Sequence, residues 1–345
     1  MFEDYLLRLF SVTPRRAKAI FNVLRGRRTV STLFAGLTYG CLDQLDSWHG
    51  VPLERFLATA EALVNQGFLA SPQPGYLQLT PDGQQRVAAT TLYRPVALSA
   101  FQTVAVRQFA AEAQLALQVV SEAVHQQRRY YPVTTDPKTQ ARVKAWVRQQ
   151  SRTREVAAAV YAGLHAFLGQ LDPQLAAIFV ASLTGYRQPG LTDAQLGVRF
   201  DRQPIELLMI RKDLTCQWVA WLQSHPKDPL AGLLAPLVKA SPVSTSAQRT
   251  VRDFSQSGDL NQIAQNRRLK PSTVREHLLE AAILTPRFPF KRVLSPAVLT
   301  QLSDGFGGRQ DVADWQFAEA QAVNAQLTFF EFRLYQIMRC HDATS

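Results

Sequence analysis

The chain contains only three cysteines, Cys41, Cys216 and Cys340. They are odd in number, far apart and without a CxxC, so neither a zinc knuckle nor a disulfide framework is indicated. A reducing cytoplasm is the expected setting. The six histidines form no HExxH or His-x-His pattern, and a metal site built from them would need distant partners. There is no GxxxxGK[ST], hence no P-loop, and no GxGxxG follows a strand-like segment. Acidic residues are scattered rather than grouped as a two-metal nuclease requires. No catalytic centre, metal, cofactor or small-molecule substrate is therefore expected. No run of about twenty apolar residues exists, which argues against a membrane span. The opening MFEDYLLRLF lacks the long apolar core of a leader peptide. The most apolar stretch, Leu230–Leu237, is short and contains Pro236.

What the chain does have is positive charge. Its 345 residues carry a formal +11, with 46% hydrophobic and 19% charged residues. That composition is globular, and the length suits two or three domains. The charge favours polyanionic partners, because each cation placed on a phosphate releases a counterion.

The expected fold class is mainly α. Residues 1–90 read as a winged-helix-like domain. Thr13-Pro14 opens a helix, Thr29–Tyr39 is apolar-periodic, and Pro52–Gln66 carries Leu53, Phe56, Leu57, Ala60 and Leu63 on one face before Gly67. Tyr76–Leu79 alternates as a strand, and Thr80-Pro81-Asp82 starts another helix. Residues 91–222 form a helical middle region, with one helix over Leu98–Val124 and helix again over Lys138–Leu168. Thr192–Gln195 and Ile205–Leu222 suggest a second helix-turn-helix. Four prolines mark 223–246 as a linker. Residues 247–345 form a C-terminal helix-turn-helix domain: Gln248–Ser257, a stop at Gly258, a capping box from Asp259 to Gln262, and a turn and new cap at Lys270–Thr273. Val274, Leu278 and Ala281 supply the third helix's buried stripe.

A recognition helix presents its first residues to base edges while neighbouring cations hold phosphates. In Asn266–Glu280 the candidate readers are Ser272, Thr273 and Arg275, and the candidate phosphate clamps are Arg267, Arg268 and Lys270. Lys291 and Arg292 add charge beyond the helix. Thr245–Ser295 holds nine Lys/Arg against four Asp/Glu, so the excess is local to this domain. Glu276 and Leu279 share the outward face of Arg275, which fits a protein-docking surface as well as a DNA-reading one. A second patch comprises Arg15, Arg16, Lys18, Arg25, Arg27 and Arg28, readable also as a solvated face with cations at a helix C-terminus. A third cluster, Arg128, Arg129, Lys138, Arg142, Lys144 and Arg148, lies near Tyr130, Tyr131 and Trp146. Aromatics among cations can stack on single-stranded bases, and equally can be core-edge rings.

Leu260–Ile263, the following LKPSTVREHL (Leu269–Leu278), the start at Leu294–Pro296 and the closing TFFEFRL (Thr328–Leu334) resemble the helicase-type helix-turn-helix at the C-terminus of some RecQ-family helicases. The whole chain is similar to YpbB-type proteins of low-GC Gram-positive bacteria. That resemblance implies a RecQ-type helicase partner, since the genes usually neighbour one another. The resulting expectation is a non-catalytic DNA-binding accessory factor in repair or recombination. A helix-turn-helix transcriptional regulator and a protein-docking scaffold without DNA contact are the alternatives, and a cryptic nuclease is a more remote one.

Overall fold

The computed structural model describes residues 2–150, 153–309 and 311–342. The first stretch runs α1 (Phe2–Leu7), β1 (Arg15–Arg16), α2 (Ala17–Leu24), α3 (Val30–Thr38), α4 (Leu53–Asn65), β2 (Leu69–Gln73), β3 (Tyr76–Leu79) and α5 (Pro81–Ala89). Helix starts follow the caps. Thr29 accepts from the Thr32 amide and Thr80 from that of Gly83. Gly67 and Gly75 take positive φ after α4 and in the hairpin, where a β-carbon would be strained. The three strands lie in the order β1-β3-β2, with Arg15 opposite Leu77 and Arg16 opposite Tyr76.

The middle stretch is α6 (Val106–Val124), α7 (Pro137–Gln149), α8 (Thr153–Leu168), α9 (Pro173–Ala181), α10 (Asp193–Phe200), α11 (Pro204–Ser224) and α12 (Ala231–Leu234). The single helix expected from Leu98 is a 3₁₀ turn over Leu98–Gln102 and then α6. The C-terminal stretch is α13 (Thr245–Ser257), α14 (Leu260–Arg267), α15 (Pro271–Leu284), α16 (Phe290–Val293), α17 (Pro296–Phe306), α18 (Phe317–Val323) and α19 (Phe329–Asp342). The protein is mainly helical with a C-terminal helix-turn-helix domain.

The chain divides into two compact units, and neither is one continuous segment. Unit 1 comprises Met1–Arg8, Ala62–Leu69 and Leu79–Ala240. Unit 2 comprises Leu9–Glu61, Ala70–Gln78 and Ser241–Ser345. The expected boundary at residue 90 is thus not where the chain divides.

Unit 1 is organised around α11, whose Leu207, Ile210, Leu214, Trp218 and Leu222 are buried. Trp218 meets Phe109 at 5.4 Å and Phe179 at 5.6 Å between ring centroids. Three buried carboxylates give this unit its polar skeleton. Asp213 accepts from the Val96 and Ala97 amides (2.9 and 2.6 Å), the Tyr93 hydroxyl (2.6 Å) and Gln217 Nε2 (2.8 Å). Glu206 accepts from the Tyr93 amide (2.9 Å) and Arg202 (2.6 Å). Glu112, its carboxyl pushed up by burial, accepts from Gln108 (3.0 Å) and Arg142 Nε (2.7 Å). Residues 93–97 are irregular yet fixed, because Asp213 and Glu206 replace the hydrogen bonds a helix would supply.

The expected linker also departs from its reading. Leu230, Leu233, Leu234 and Leu237 are buried. Val238 bridges to Val104, and the Lys239 amide donates to Thr103 O at 2.7 Å. Prolines alone suggest a spacer, but leucines between them bury enough apolar surface to bind the segment into the unit. Ser244, at the end of the same stretch, caps α13 in unit 2.

Unit 2 has one core drawn from both ends of the sequence. Val23, Leu33, Cys41 and Leu45 pack in the same cluster as Ile263, Val274, Leu278, Ile283, Phe332 and Ile337. Arg28 joins the two stretches, donating to Pro242 O and lying 3.4 Å from Glu280 Oε1. Glu280 is itself buried and accepts from the Ser244 amide (2.8 Å) and hydroxyl (2.9 Å).

Candidate nucleic-acid interface

The helix-turn-helix consists of α13, α14 and α15, all within unit 2. Asp259 caps α14 by accepting from the Asn261 and Gln262 amides. Arg268 then takes the left-handed conformation (φ 52°). Its amide bonds Gln265 O and the next bonds Ala264 O, which is a Schellman stop built on arginine rather than glycine. Lys270 is the N-cap of α15 and Pro271 its first residue. Ser272 and Thr273 therefore lie inside the first turn instead of capping it. Val274, Leu278 and Ala281 are buried, as the stripe requires, and so is Leu279, which the sequence pattern placed outward.

The candidate clamps do not share one role. Arg267 turns inward. It donates to Ser246 O (3.0 Å), Ser246 Oγ (3.1 Å) and Thr250 Oγ1, tying α14 to α13. Thr250 in turn hydrogen-bonds His277 Nδ1 at 2.8 Å. Burial, reinforced by Arg267, holds the His277 imidazole below its ordinary value. Arg268, Lys270, Lys291 and Arg292 are exposed.

Two clefts of unit 2 gather the remaining candidates. The first, about 470 Å³, has Ser272, Arg275, Glu276 and Leu279 of α15 on one wall. Val30 and Phe34 of α3 and Phe329 and Arg333 of α19 complete it. The second, about 540 Å³, brings together Arg16, Lys18, Asn22 and Arg27 with Tyr76 and Arg333. Thr29, Ser31, Phe34 and Arg333 line both, so the two clefts form one continuous concavity. Among the described residues no carboxylate lines the second cleft, and the nearby Glu276 belongs to the first. Four cations on an uncompensated concave surface focus a positive potential there.

Local structure explains why these cations and not their neighbours reach the cleft. Arg15, beside Arg16, donates to Leu9 O at 2.7 Å and lies over the Tyr39 ring, 5.5 Å from its centroid. The alternation of β1 turns Arg16 the other way. After α2, Arg25 is the C-cap and Gly26 adopts φ 78° against Asp46, where a β-carbon would stand 2.5 Å from Oδ1. This turn sets Arg27 in the cleft and Arg28 on Pro242 and Glu280. Arg25 is exposed but lines neither cleft. Thr273 is half-buried and lines neither.

Residue type alone does not single out Arg333 among the cations. Its guanidinium lies 3.7 Å from the Phe34 ring centroid and 4.9 Å from that of Phe329. Desolvation lowers it to about 10, so it stays charged at neutral pH. The signal lies in TFFEFRL, where Phe329 and Arg333 are four apart on one helix face.

The other expected sites resolve differently. In the second possible helix-turn-helix, Thr192 and Gln195 do form a capping box. Its following helix, α11, is buried along most of its length and cannot offer a reading face. The solvent side of α4, the helix before the hairpin, carries Glu54, Arg55, Leu57, Ala58 and Glu61, which is not a cationic face. In the third cluster Arg142 pairs with Glu112, and Trp146 is core, with Nε1 donating to Pro229 O at 2.9 Å. Among the described residues no group of three His, Cys, Asp or Glu is placed to hold a metal ion. No helix described is long and apolar enough to cross a membrane.

No solved structure matches the chain. Protein YpbB of Bacillus subtilis (strain 168) is 26% identical over 190 residues, 55% of this chain and 54% of that protein. The chain thus spans about half the length of the curated relative it matches. Residues 246–336 match a family model described as a helix-turn-helix domain, and this domain suggests DNA binding.

Proposed function

We propose that the protein is a non-catalytic DNA-binding factor that contacts the phosphate backbone through the concave surface of unit 2, with α15 forming one wall. The observation carrying this reading is the convergence of Arg16, Lys18, Arg27 and Arg333 on a cleft without a lining carboxylate among the described residues. Contacts of this kind position a protein on nucleic acid without reading sequence, and they are strongly salt-dependent. On the resemblance to helicase-type helix-turn-helix domains, we further propose that the chain serves a RecQ-type helicase in repair or recombination. Its contribution is tethering: a weak extra DNA site on a partner raises local concentration without new chemistry.

The test is fluorescence anisotropy with duplex, single-stranded and forked probes at several salt concentrations. The triple variant Arg16→Ala/Lys18→Ala/Arg27→Ala should weaken binding by roughly ten- to a hundredfold. It should also flatten the log–log salt slope by about 0.7–0.9 for each phosphate that is no longer neutralised. An unchanged slope would remove the cleft from the DNA interface. Unwinding by a RecQ-type helicase that is unaffected by saturating amounts of the protein would refute the helicase role and leave the DNA contact standing.

A further inference from the structure

Unit 1 carries a groove that the DNA-binding reading does not use. It measures about 500 Å³ and runs between α6, α7 and the loop through Tyr130 and Pro132. Its floor is aliphatic: Leu115 and Val119 from α6, Val143 and Val147 from α7. Arg128, Lys144 and Arg148 stand exposed around it. Among the described residues no carboxylate lines the groove, and none makes an ion pair with those three cations.

The walls are fixed in place. Gln118 of α6 clasps the loop from both sides of its amide, donating Nε2 to Tyr131 O (2.9 Å) and accepting from the Val133 amide (2.8 Å). Gln140 donates to Thr134 O at 2.9 Å, and Asp136 caps α7 through the Thr139 amide at 2.8 Å. Arg142 to Glu112 ties α7 to α6. A preformed groove spares a ligand the cost of ordering it.

We propose that this groove docks an acidic peptide segment of another protein, whose aliphatic or aromatic side chains enter the floor while its carboxylates meet Arg128, Lys144 and Arg148. The floor decides against a single-stranded nucleic acid. Strand-binding surfaces stack bases on aromatic rings, but here Trp146 is buried in the core and Tyr131 is 96% exposed outside the groove. Tyr130 is the one ring among the described lining residues. A valine- and leucine-floored channel with a cationic rim matches an amphipathic acidic chain in both charge and shape.

The probe is a labelled short peptide in which Asp and Glu flank Leu and Phe, titrated against the full chain by anisotropy, with a control peptide carrying Lys at each acidic position. Saturable binding of the acidic peptide alone is expected. Lys144→Glu/Arg148→Glu should weaken it roughly tenfold at low salt. Val147→Asp, a substitution at a half-exposed position, should weaken it comparably even at high salt. Circular dichroism establishes that the variants are folded. No saturable binding, or equal affinity in the folded variants, overturns the proposal. Displacement of the peptide by oligo(dT) at lower concentration than by unlabelled peptide overturns it too, and makes the groove a single-strand site. DNA binding through unit 2 is read separately, so failure here leaves that reading untouched.

Discussion

The basic region around α2 and the helix-turn-helix near the C-terminus both contain neighbouring cations that do opposite things. In the first, Arg16 and Arg27 line the cleft, while Arg15 and Arg28 bond backbone carbonyls of the protein itself. In the second, Arg268 is exposed while Arg267 is enclosed by Ser246 and Thr250. The two regions differ in what becomes of the outward members. Around α2 they converge on a concave surface. At the helix-turn-helix, Arg268, Lys270, Lys291 and Arg292 are exposed but line neither cleft, and α15 gives the concavity Arg275 together with Ser272, Glu276 and Leu279. Positive charge near a helix-turn-helix thus does not by itself make a concave cationic surface, which here arises where α2, α3 and α19 line one cleft.

The sharpest way to test the division into inward and outward cations is to remove the acceptor that several inward groups share. Glu280→Ala leaves the half-buried Ser244 amide without its acceptor and Arg28 without its carboxylate. A loss of roughly 2–3 kcal/mol in urea unfolding is expected. A loss near zero would mean that Arg28 is held by Pro242 alone. Arg267→Ala should cost about 1–2 kcal/mol and leave the salt slope of DNA binding unchanged. A flatter slope would show that this cation reaches a phosphate. Arg268→Gly relieves a left-handed residue bearing a β-carbon and should raise stability by about 0.5–1 kcal/mol. If Arg268 contacts DNA, the same variant will bind more weakly while being more stable.

The smallest effect is one of pH. The His277 imidazole lies below its ordinary value of 6.5 in the folded protein, so the unfolded chain takes up the proton first as pH falls. Its contribution to stability is present above about pH 6.5 and is lost as pH drops through the lowered folded value. Urea midpoints measured at neutral and mildly acidic pH should separate, and His277→Gln should narrow the gap.

Much of the local structure was legible in the sequence. Thr80 and Asp259 mark helix starts because a short oxygen-bearing side chain can reach an unpaired amide, and each does so. The three-helix order of the C-terminal domain and the hairpin at Tyr76 follow from the same local chemistry. Long-range assignments were not legible. Nothing in the spacing of Val23 and Leu33 tells that their partners lie beyond residue 260, since periodicity reveals a buried face and not what covers it. The candidate site divides in the same way. Residue type marks Arg15, Arg16, Arg27, Arg28 and Arg267 alike, while the inward turn of Arg28 and Arg267 depends on carbonyls supplied by distant segments. The Phe329–Arg333 spacing marks one helix face, but the cleft that gives Arg333 its place exists only once α3 and α19 are assembled.

The discontinuity of unit 2 bears on how the chain is made. A polypeptide leaves the ribosome N-terminus first, and domains generally fold as they emerge. Leu9–Glu61 emerges early, but its core partners lie after Ser241. During the synthesis of everything between, Val23, Leu33 and Leu45 wait without the later side chains that share their core, while every segment of unit 1 has emerged by Ala240. The early segment is therefore the one most exposed to chaperones and proteases during translation. A chain cut short before Ser241 would hold a folded middle and an N-terminal stretch with its apolar face open.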